Sequence, residues 1–482
     1  MTFDLGTIAV FVIAGILYAA FLPKAWRGWA LLIGSVLTIY WLQPPLPIRF
    51  SAYILQTVTI LLVIVSWQIT RPAGGDISKE DKISLALLFG LIISVGLFRF
   101  VPLQYRLIDR PPQPFAIAAT LLVFGAFTGG LTSLLRKGAM KVALTGWLFV
   151  IITIFVILKF EPLATAVSQL WRTQMGQDPT LAAGSNLAWL GFSYVAFRLI
   201  HTVRDRQAGI LPLLSLREYS SYVLFAPAYI AGPIDRVERF VDDLRAIPAM
   251  HGLDAPRFAD AGQRIAVGAF KKFVIADSLA QGMSLTATNA AQGESTAMLW
   301  LLLYGYALRL YFDFSGYTDI AIGIGLLFGI RLPENFKRPY LQTNITAFWQ
   351  NWHATLSAWA RTYVFSPLSR ALLQRKPRPS TTLIVFIAQV ATMVTIGLWH
   401  GITINYFIWG VWHGVGLFVH KQWSNRTRKW YRGLKEKPRQ KQAWTLFSWF
   451  LTFQFVVLGW VWFLLPTPAE AVALFAKLFG MG

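Results

Sequence analysis

TTLIVFIAQVATMVTIGLWH, residues 381–400, decides the fold. Its first nineteen residues carry no charge. An uncharged run of that length matches a helix crossing the hydrocarbon core of a bilayer. Comparable blocks, flanked by charge or Pro, lie near 7–22, 29–43, 52–70, 83–101, 115–135 and 142–159. Further blocks lie near 186–200, 219–233, 297–312, 317–330, 404–420 and 444–465. Inside a bilayer such segments must satisfy their own backbone groups, which a helix does. The chain therefore reads as all-α, a polytopic integral membrane protein with about 11–13 membrane helices, some of them tilted, short or re-entrant.

Composition agrees. Of 482 residues, 55% are hydrophobic and 14% charged, where soluble domains carry roughly a quarter charged residues. The net charge of +22 does not mark a nucleic-acid binder. The Lys and Arg residues sit in short loops between apolar blocks, and no soluble basic face interleaved with aromatics exists. The absence of cysteine removes disulfides, thiolate metal sites and cysteine nucleophiles. Lys24 and Arg27 follow the first apolar block rather than precede it, so that block does not read as a cleaved signal peptide.

The loops set an expected orientation. Lys24–Arg27 and Arg136–Lys141 fall on one side in an alternating count. Residues 421–441 hold nine Lys or Arg and one Glu, the strongest cytoplasmic marker, and a stretch suited to anionic lipid. The N-terminus is then outside. Polar residues accumulate after position 186: His201, Asp235, Asp277, Arg309, Asp313, Asp319, His353, Arg361, His400 and His413. Ionisable groups at membrane depth are expensive and usually functional. Residues 331–375, rich in Trp, Pro, Asn and Arg, read as amphipathic or re-entrant helices lining a cavity.

Common catalytic signatures are absent: no G-x-S-x-G, H-E-x-x-H or G-x-x-x-x-G-K-[ST] occurs. Gly323, Gly325 and Gly329 lie inside an apolar span, which suits close helix packing. His413 and His420 are seven apart on one helix face with no carboxylate nearby, so no metal is expected. His251 lies in a polar loop. Two histidines stand out. His400 closes the 381–399 span, and His353 sits in WQNWH, residues 349–353. Each is either a partner in a helix–helix hydrogen bond or a catalytic group. Burial disfavours the imidazolium, and a neutral imidazole can act as a general base. A second imidazole can orient an acceptor or donate to an oxyanion.

Residues 311–368 run YFDFSGYTDIAIGIGLLFGIRLPENFKRPYLQTNITAFWQNWHATLSAWARTYVFSPL. This stretch resembles the membrane-bound O-acyltransferase family. The resemblance is strongest to its bacterial branch of alginate O-acetylation and teichoic acid D-alanyl transfer proteins. AGPIDR at 231–236, AFKK at 269–272 with IAD at 275–277, GLWHG at 397–401, WG at 409–410 and HG at 413–414 extend it. It covers roughly residues 185–420, and the first 180 match only in hydropathy. The resemblance implies a ring of tilted helices around a thinned central cavity, with a funnel from each side. It also implies three regions: N-terminal membrane helices over 1–180, a catalytic core over 181–420, and a basic cytoplasmic loop with a last membrane helix over 421–482. His400 falls on the family's invariant histidine and His353 on its second. Family members usually place an acid after W-x-R, whereas Trp359-Ala360-Arg361-Thr362-Tyr363 has Thr362 there, which opens the question of the donor.

The resemblance implies a membrane-bound O-acyltransferase in the cytoplasmic membrane. It moves an acyl group, expected to be acetyl, from a cytoplasmic thioester to hydroxyls of an exported polysaccharide or envelope polymer. His400 is the expected base, and His353 positions or polarises one substrate. Asp313, Asp319, Trp352, Arg361 and Trp399 are expected to line the cavity, although buried hydrogen bonding would equally explain the two aspartates. No resident cofactor is expected; acyl-CoA or acyl carrier protein would be the donor substrate. Expected partners are the bilayer, an exported or membrane-anchored second acyl-transfer protein, and an acyl carrier protein. D-alanyl transfer to teichoic acid, a lipid or glycan transporter, and a catalytically dead scaffold are the alternatives.

Overall fold

The computed structural model describes residues 4–72, 77–136, 140–250, 252–293 and 295–481. His251 and residues 137–139 of the basic 136–141 loop fall outside them. The described residues form helices and turns, with no strand among them. Six helices are long and apolar enough to cross a membrane: Ser51–Thr70, Lys79–Phe100, Pro114–Ser133, Met140–Lys159, Thr381–His400 and Pro438–Leu464. Leu5–Phe21 is a shorter apolar helix. The chain is a multi-pass, all-α membrane protein of the kind the apolar blocks predict.

Three apolar blocks take another form. The 219–233 block contains most of the nine-residue helix Leu216–Leu224 and the 3-10 turn Ala226–Ala228, both too short to cross a bilayer. Pro227 and Pro233 prevent its continuation. The helix starts at a capping box between Ser215 and Glu218, and protein buries eight of its nine residues, Glu218, Ser220 and Ser221 included. The blocks at 297–312 and 317–330 are one helix, Thr296–Leu327, of 32 residues. Gly316 does not break it. A Cβ there would lie 2.7 Å from the Gly268 carbonyl oxygen, and one on Gly268 would lie 2.6 Å from the Gly316 oxygen, so the glycines permit a close helix crossing. Gly329, at φ +87°, supplies the left-handed turn beyond the helix end.

The chain divides into two compact units: Met1–Gln263 with Ala321–Leu332, and Arg264–Ile320 with Pro333–Gly482. In the first unit, Ser51–Thr70 is the central helix, with sixteen of its twenty residues buried. It packs against Arg27–Leu42, Met140–Lys159, Phe192–Gln207 and Leu216–Leu224. Met140–Lys159 buries only Leu144 and Ile151, leaving most of its apolar surface for lipid. In the second unit, Thr381–His400 and Ile404–Arg426 form a tight helical hairpin. Cβ atoms on Gly410 and Gly414 would lie 2.5 Å from Val394 Cα and 2.6 Å from Val390 Cα. Pro438–Leu464 packs on that hairpin. The 331–375 stretch is broken, as expected, into Ile345–Asn351, Ala354–Ala360, a π-helical turn Arg361–Phe365 and Ser366–Leu373.

Candidate active site

The second unit holds one continuous aromatic cluster containing three histidines. His400 ends its helix, and the chain reverses through Gly401 into the Thr403-capped helix Ile404–Arg426. Its half-buried imidazole is ringed by Trp399, Phe463, Tyr406 and Trp409, with centroids 4.5, 4.7, 5.8 and 5.9 Å away. His353 joins Ile345–Asn351 to Ala354–Ala360 in a left-handed conformation, φ 43° and ψ 52°. Such a backbone is strained for a residue with a Cβ and clusters at functional sites. Its ring is fully buried, 4.8 Å from Phe314 and 6.0 Å from Trp399. Trp399 therefore touches both imidazoles, and the two expected histidines share one site.

The hydrogen bonds around His353 fix its tautomer. Asn335 Oδ1 accepts from the Thr355 backbone N–H at 3.2 Å and from the Thr355 hydroxyl at 2.9 Å. A backbone N–H can only donate, so this atom is the amide oxygen. His353 Nδ1, 3.1 Å from the same oxygen, must then be the protonated nitrogen. In the neutral ring Nε2 carries the lone pair, and it has no hydrogen-bond partner. A buried acceptor without a partner costs about 1–3 kcal/mol. His353 is thus held as a hydrogen-bond acceptor aimed into an aromatic enclosure.

His413 is the third histidine. It is fully buried, 4.8 Å from Trp409 and 5.1 Å from Trp349. The Trp349 indole N–H donates to its Nδ1 at 3.4 Å, so the neutral ring carries its proton on Nε2, the opposite tautomer to His353. Trp409 lies four residues before His413 on one helix face, a spacing that could have signalled the pairing. Asn335 had no such signal, being one polar residue in a polar stretch.

The other expected residues separate. Trp352 is buried among Trp460, Phe336, Tyr340 and Phe348, at 5.1 to 5.6 Å. Trp399 bridges the histidines. Asp313 and Asp319 are engaged with cations. Asp319 is paired with Arg264 at 2.7 Å and Lys271 at 2.5 Å, and Asp313 with Lys272 at 2.9 Å. The π-helical turn Phe270–Ala276 presents both lysines, and Lys272 is shared with Asp277 at 2.5 Å. Arg361 and Thr362 are exposed at the start of the second π-helical turn. In the first unit, His201, Asp205 and Glu238 offer ligand atoms within 4.8 Å of one another. Arg236 already lies 3.2 Å from both carboxylates, supplying the positive charge a cation would bring.

The profile of MBOAT, the membrane-bound O-acyltransferase family, matches residues 142–462, a range that contains all three histidines. The chain is 35% identical over 313 residues to a probable alginate O-acetylase of Pseudomonas syringae pv. tomato, covering 64% of this chain and 55% of the relative. It is 32% identical over 296 residues to a teichoic acid D-alanyltransferase of Streptococcus thermophilus, covering 59% and 71%. It is 33% identical over 268 residues to a peptidoglycan O-acetyltransferase of Helicobacter pylori, covering 55% and 47%. The chain spans about half the length of the alginate and peptidoglycan relatives it matches. With its apolar helices and its paired histidines in one aromatic cluster, this chain belongs to the membrane-bound O-acyltransferase family.

Proposed function

We propose that the protein transfers an acyl group, acetyl in the first instance, from a cytoplasmic thioester to hydroxyls of an exported polysaccharide or envelope polymer. The observation that carries this reading is the pair of imidazoles joined through Trp399, one half-exposed and one holding an unpartnered lone pair. His353 Nε2 accepts a hydrogen bond from the acceptor hydroxyl and orients it; the aromatic side chains must part to admit it. His400 takes the hydroxyl proton as the oxygen attacks the thioester carbonyl. The C–O bond forms, the tetrahedral intermediate collapses, and the C–S bond breaks. The departing thiolate takes the proton back from the His400 imidazolium. Because Nδ1–H of His353 is committed to Asn335, the neutral ring orients substrate rather than donating to an oxyanion. Trp352 and Trp399 wall the site and exclude water. Asp313 and Asp319 clamp the helix that carries Phe314, and exposed Arg361 faces an anionic group of a substrate.

In this reading the donor is acyl-CoA or an acylated carrier protein. The membrane is the cytoplasmic one, and a second exported or anchored protein completes delivery to the polymer. D-alanyl transfer is the second reading, favoured by the larger share, 71%, of the teichoic acid relative that aligns. The test is a His400→Ala variant, checked for membrane insertion, with acetyl and D-alanyl esters measured on the surface polymer. Loss of esters with normal polymer export supports acyl transfer and rules out a transporter. Unchanged ester content overturns the enzymatic reading.

A further inference from the structure

A second built site lies in the first unit, in a region the acyl-transfer reading does not use. Arg49, Phe50, Arg99, Arg106, Arg110 and Pro111 line one open cavity. Arg49 precedes the Ser51–Thr70 helix, and the other arginines belong to the 98–113 connection that follows the Lys79–Leu97 helix. In the alternating count these loops share one end of the unit, and Lys24–Arg27, Arg71, Lys79 and Lys82 occupy the other. On the orientation expected from the loops, the four arginines are at the outer face, against the usual bias.

Their surroundings hold the guanidinium groups without neutralising them. Arg99 donates to the Pro111 carbonyl at 3.1 Å. Arg106 donates to the carbonyls of Val101 at 2.9 Å and Arg99 at 3.1 Å. Among the described residues the only carboxylate paired with any of the four is Asp109, 3.5 Å from exposed Arg110. Four like charges in one cavity repel unless an anion joins them. The backbone is specialised as well. Four non-glycine residues take positive φ among those described: Arg338 and His353 in the second unit, and Phe50 and Arg110 in this cavity. Buried Ile108 pins the connection, and Pro102, Pro111 and Pro112 stiffen it.

The same connection exposes Phe100 (72%), Leu103 (67%) and Tyr105 (69%). Aromatic and aliphatic side chains displayed beside cations are the pattern of a membrane interface, with rings at the level of the lipid head groups. We infer that this cavity binds the phosphodiester head group of an anionic phospholipid. The arginines hold the phosphate through charge-assisted hydrogen bonds, and Phe100, Leu103 and Tyr105 lie along its acyl chains. A soluble polyanion would use the arginines but not the apolar rim.

The test uses the full chain purified in neutral detergent, titrated with phosphatidylglycerol or phosphatidylcholine and read by native mass spectrometry. The expected result is preferential binding of phosphatidylglycerol, weakened roughly tenfold or more in an Arg99→Gln/Arg106→Gln variant, with phosphatidylcholine unaffected. Should that variant misfold, Arg49→Gln/Arg110→Gln, at exposed positions, must show the same loss. Unchanged affinity in the folded variants overturns the proposal, as does equal binding of phosphatidylcholine. Displacement of the lipid by inorganic phosphate or an oligouronate at matched concentration also overturns it, because the site would then serve a soluble anion.

Discussion

The helix Ser51–Thr70 of the first unit and the surroundings of His353 and His413 in the second are both buried, and they treat their polar groups differently. The polar side chains carried by Ser51–Thr70 itself are paired. Gln56 donates to Gln43 at 2.7 Å and accepts from Tyr229 at 2.6 Å. Thr57 bonds Tyr40 at 2.8 Å, Thr59 accepts from Trp189 at 2.8 Å, and Ser66 accepts from Tyr219 at 2.8 Å. Around His353 the reverse holds. His353 Nε2, His413 Nε2, Asn335 Nδ2 and Trp409 Nε1 are buried without partners. The first arrangement is what a fold needs in a low-dielectric interior. The second retains a cost that folding alone does not reward, and it marks where binding or chemistry occurs.

If that contrast is real, substitutions in the cluster cut activity and leave stability, and those in the polar core do the opposite. His400→Ala is expected to have the largest effect, a loss of about a hundred- to ten-thousandfold in ester formation, with the melting temperature in detergent nearly unchanged. His353→Ala follows at about a hundredfold, through misorientation of the acceptor. Asn335→Asp is the sharper test of the tautomer. A carboxylate can accept the same three hydrogen bonds, so the fold is kept, but it also holds His353 as the imidazolium and removes the Nε2 lone pair. Activity is then lost at neutral pH and recovers as pH rises, moving the acid limb of the pH–rate profile to higher pH. A profile that superimposes on the parent's would show that His353 does not act through Nε2.

Much of this was legible in the sequence. Span length and charge placement give the all-helical membrane class, and GLWHG with WQNWH gives the two histidines. Hydropathy misled where proline and burial, rather than lipid, set the outcome: Leu216–Leu224 carries Arg217, Glu218, Ser220 and Ser221, and the 219–233 block reads as a span only through the apolar residues that follow that helix. It also split Thr296–Leu327, since glycine inside a helix reads as a break until the Gly268–Gly316 crossing is seen. Asp313 and Asp319 were found as expensive charges, but the lysines and arginine that neutralise them come from a neighbouring helix and π-turn, a pairing that no spacing rule encodes. Asn335 was illegible for the same reason. Its importance lies in which donors converge on one oxygen.

In the polar core, Gln56→Leu leaves the Tyr229 hydroxyl without its acceptor, at about 1–3 kcal/mol, while Gln43 Oε1 loses one donor and keeps the Leu190 N–H. A lower melting temperature is expected, with unchanged ester formation per folded molecule. A stable Gln56→Leu protein with impaired turnover would break the contrast, because the first unit's network would then be serving the reaction.

The smallest effect belongs to Thr362, where the resemblance to the family implies an acid. Its side chain is exposed, and its hydroxyl donates only to the Ala358 carbonyl at 3.0 Å within its own helix. Thr362→Asp is expected to change stability by less than about 0.5 kcal/mol, as exposed substitutions do. Its position beside Arg361, on a π-helical turn that packs against Thr381–His400, assigns any effect to a substrate arriving at that surface. The expected signature is a change in KM for the acyl donor with kcat and the pH profile retained. If Thr362→Asp instead shifts the pH profile as Asn335→Asp does, the missing acid acts on the imidazoles. The exposed turn and the aromatic cluster would then be one electrostatic unit rather than two.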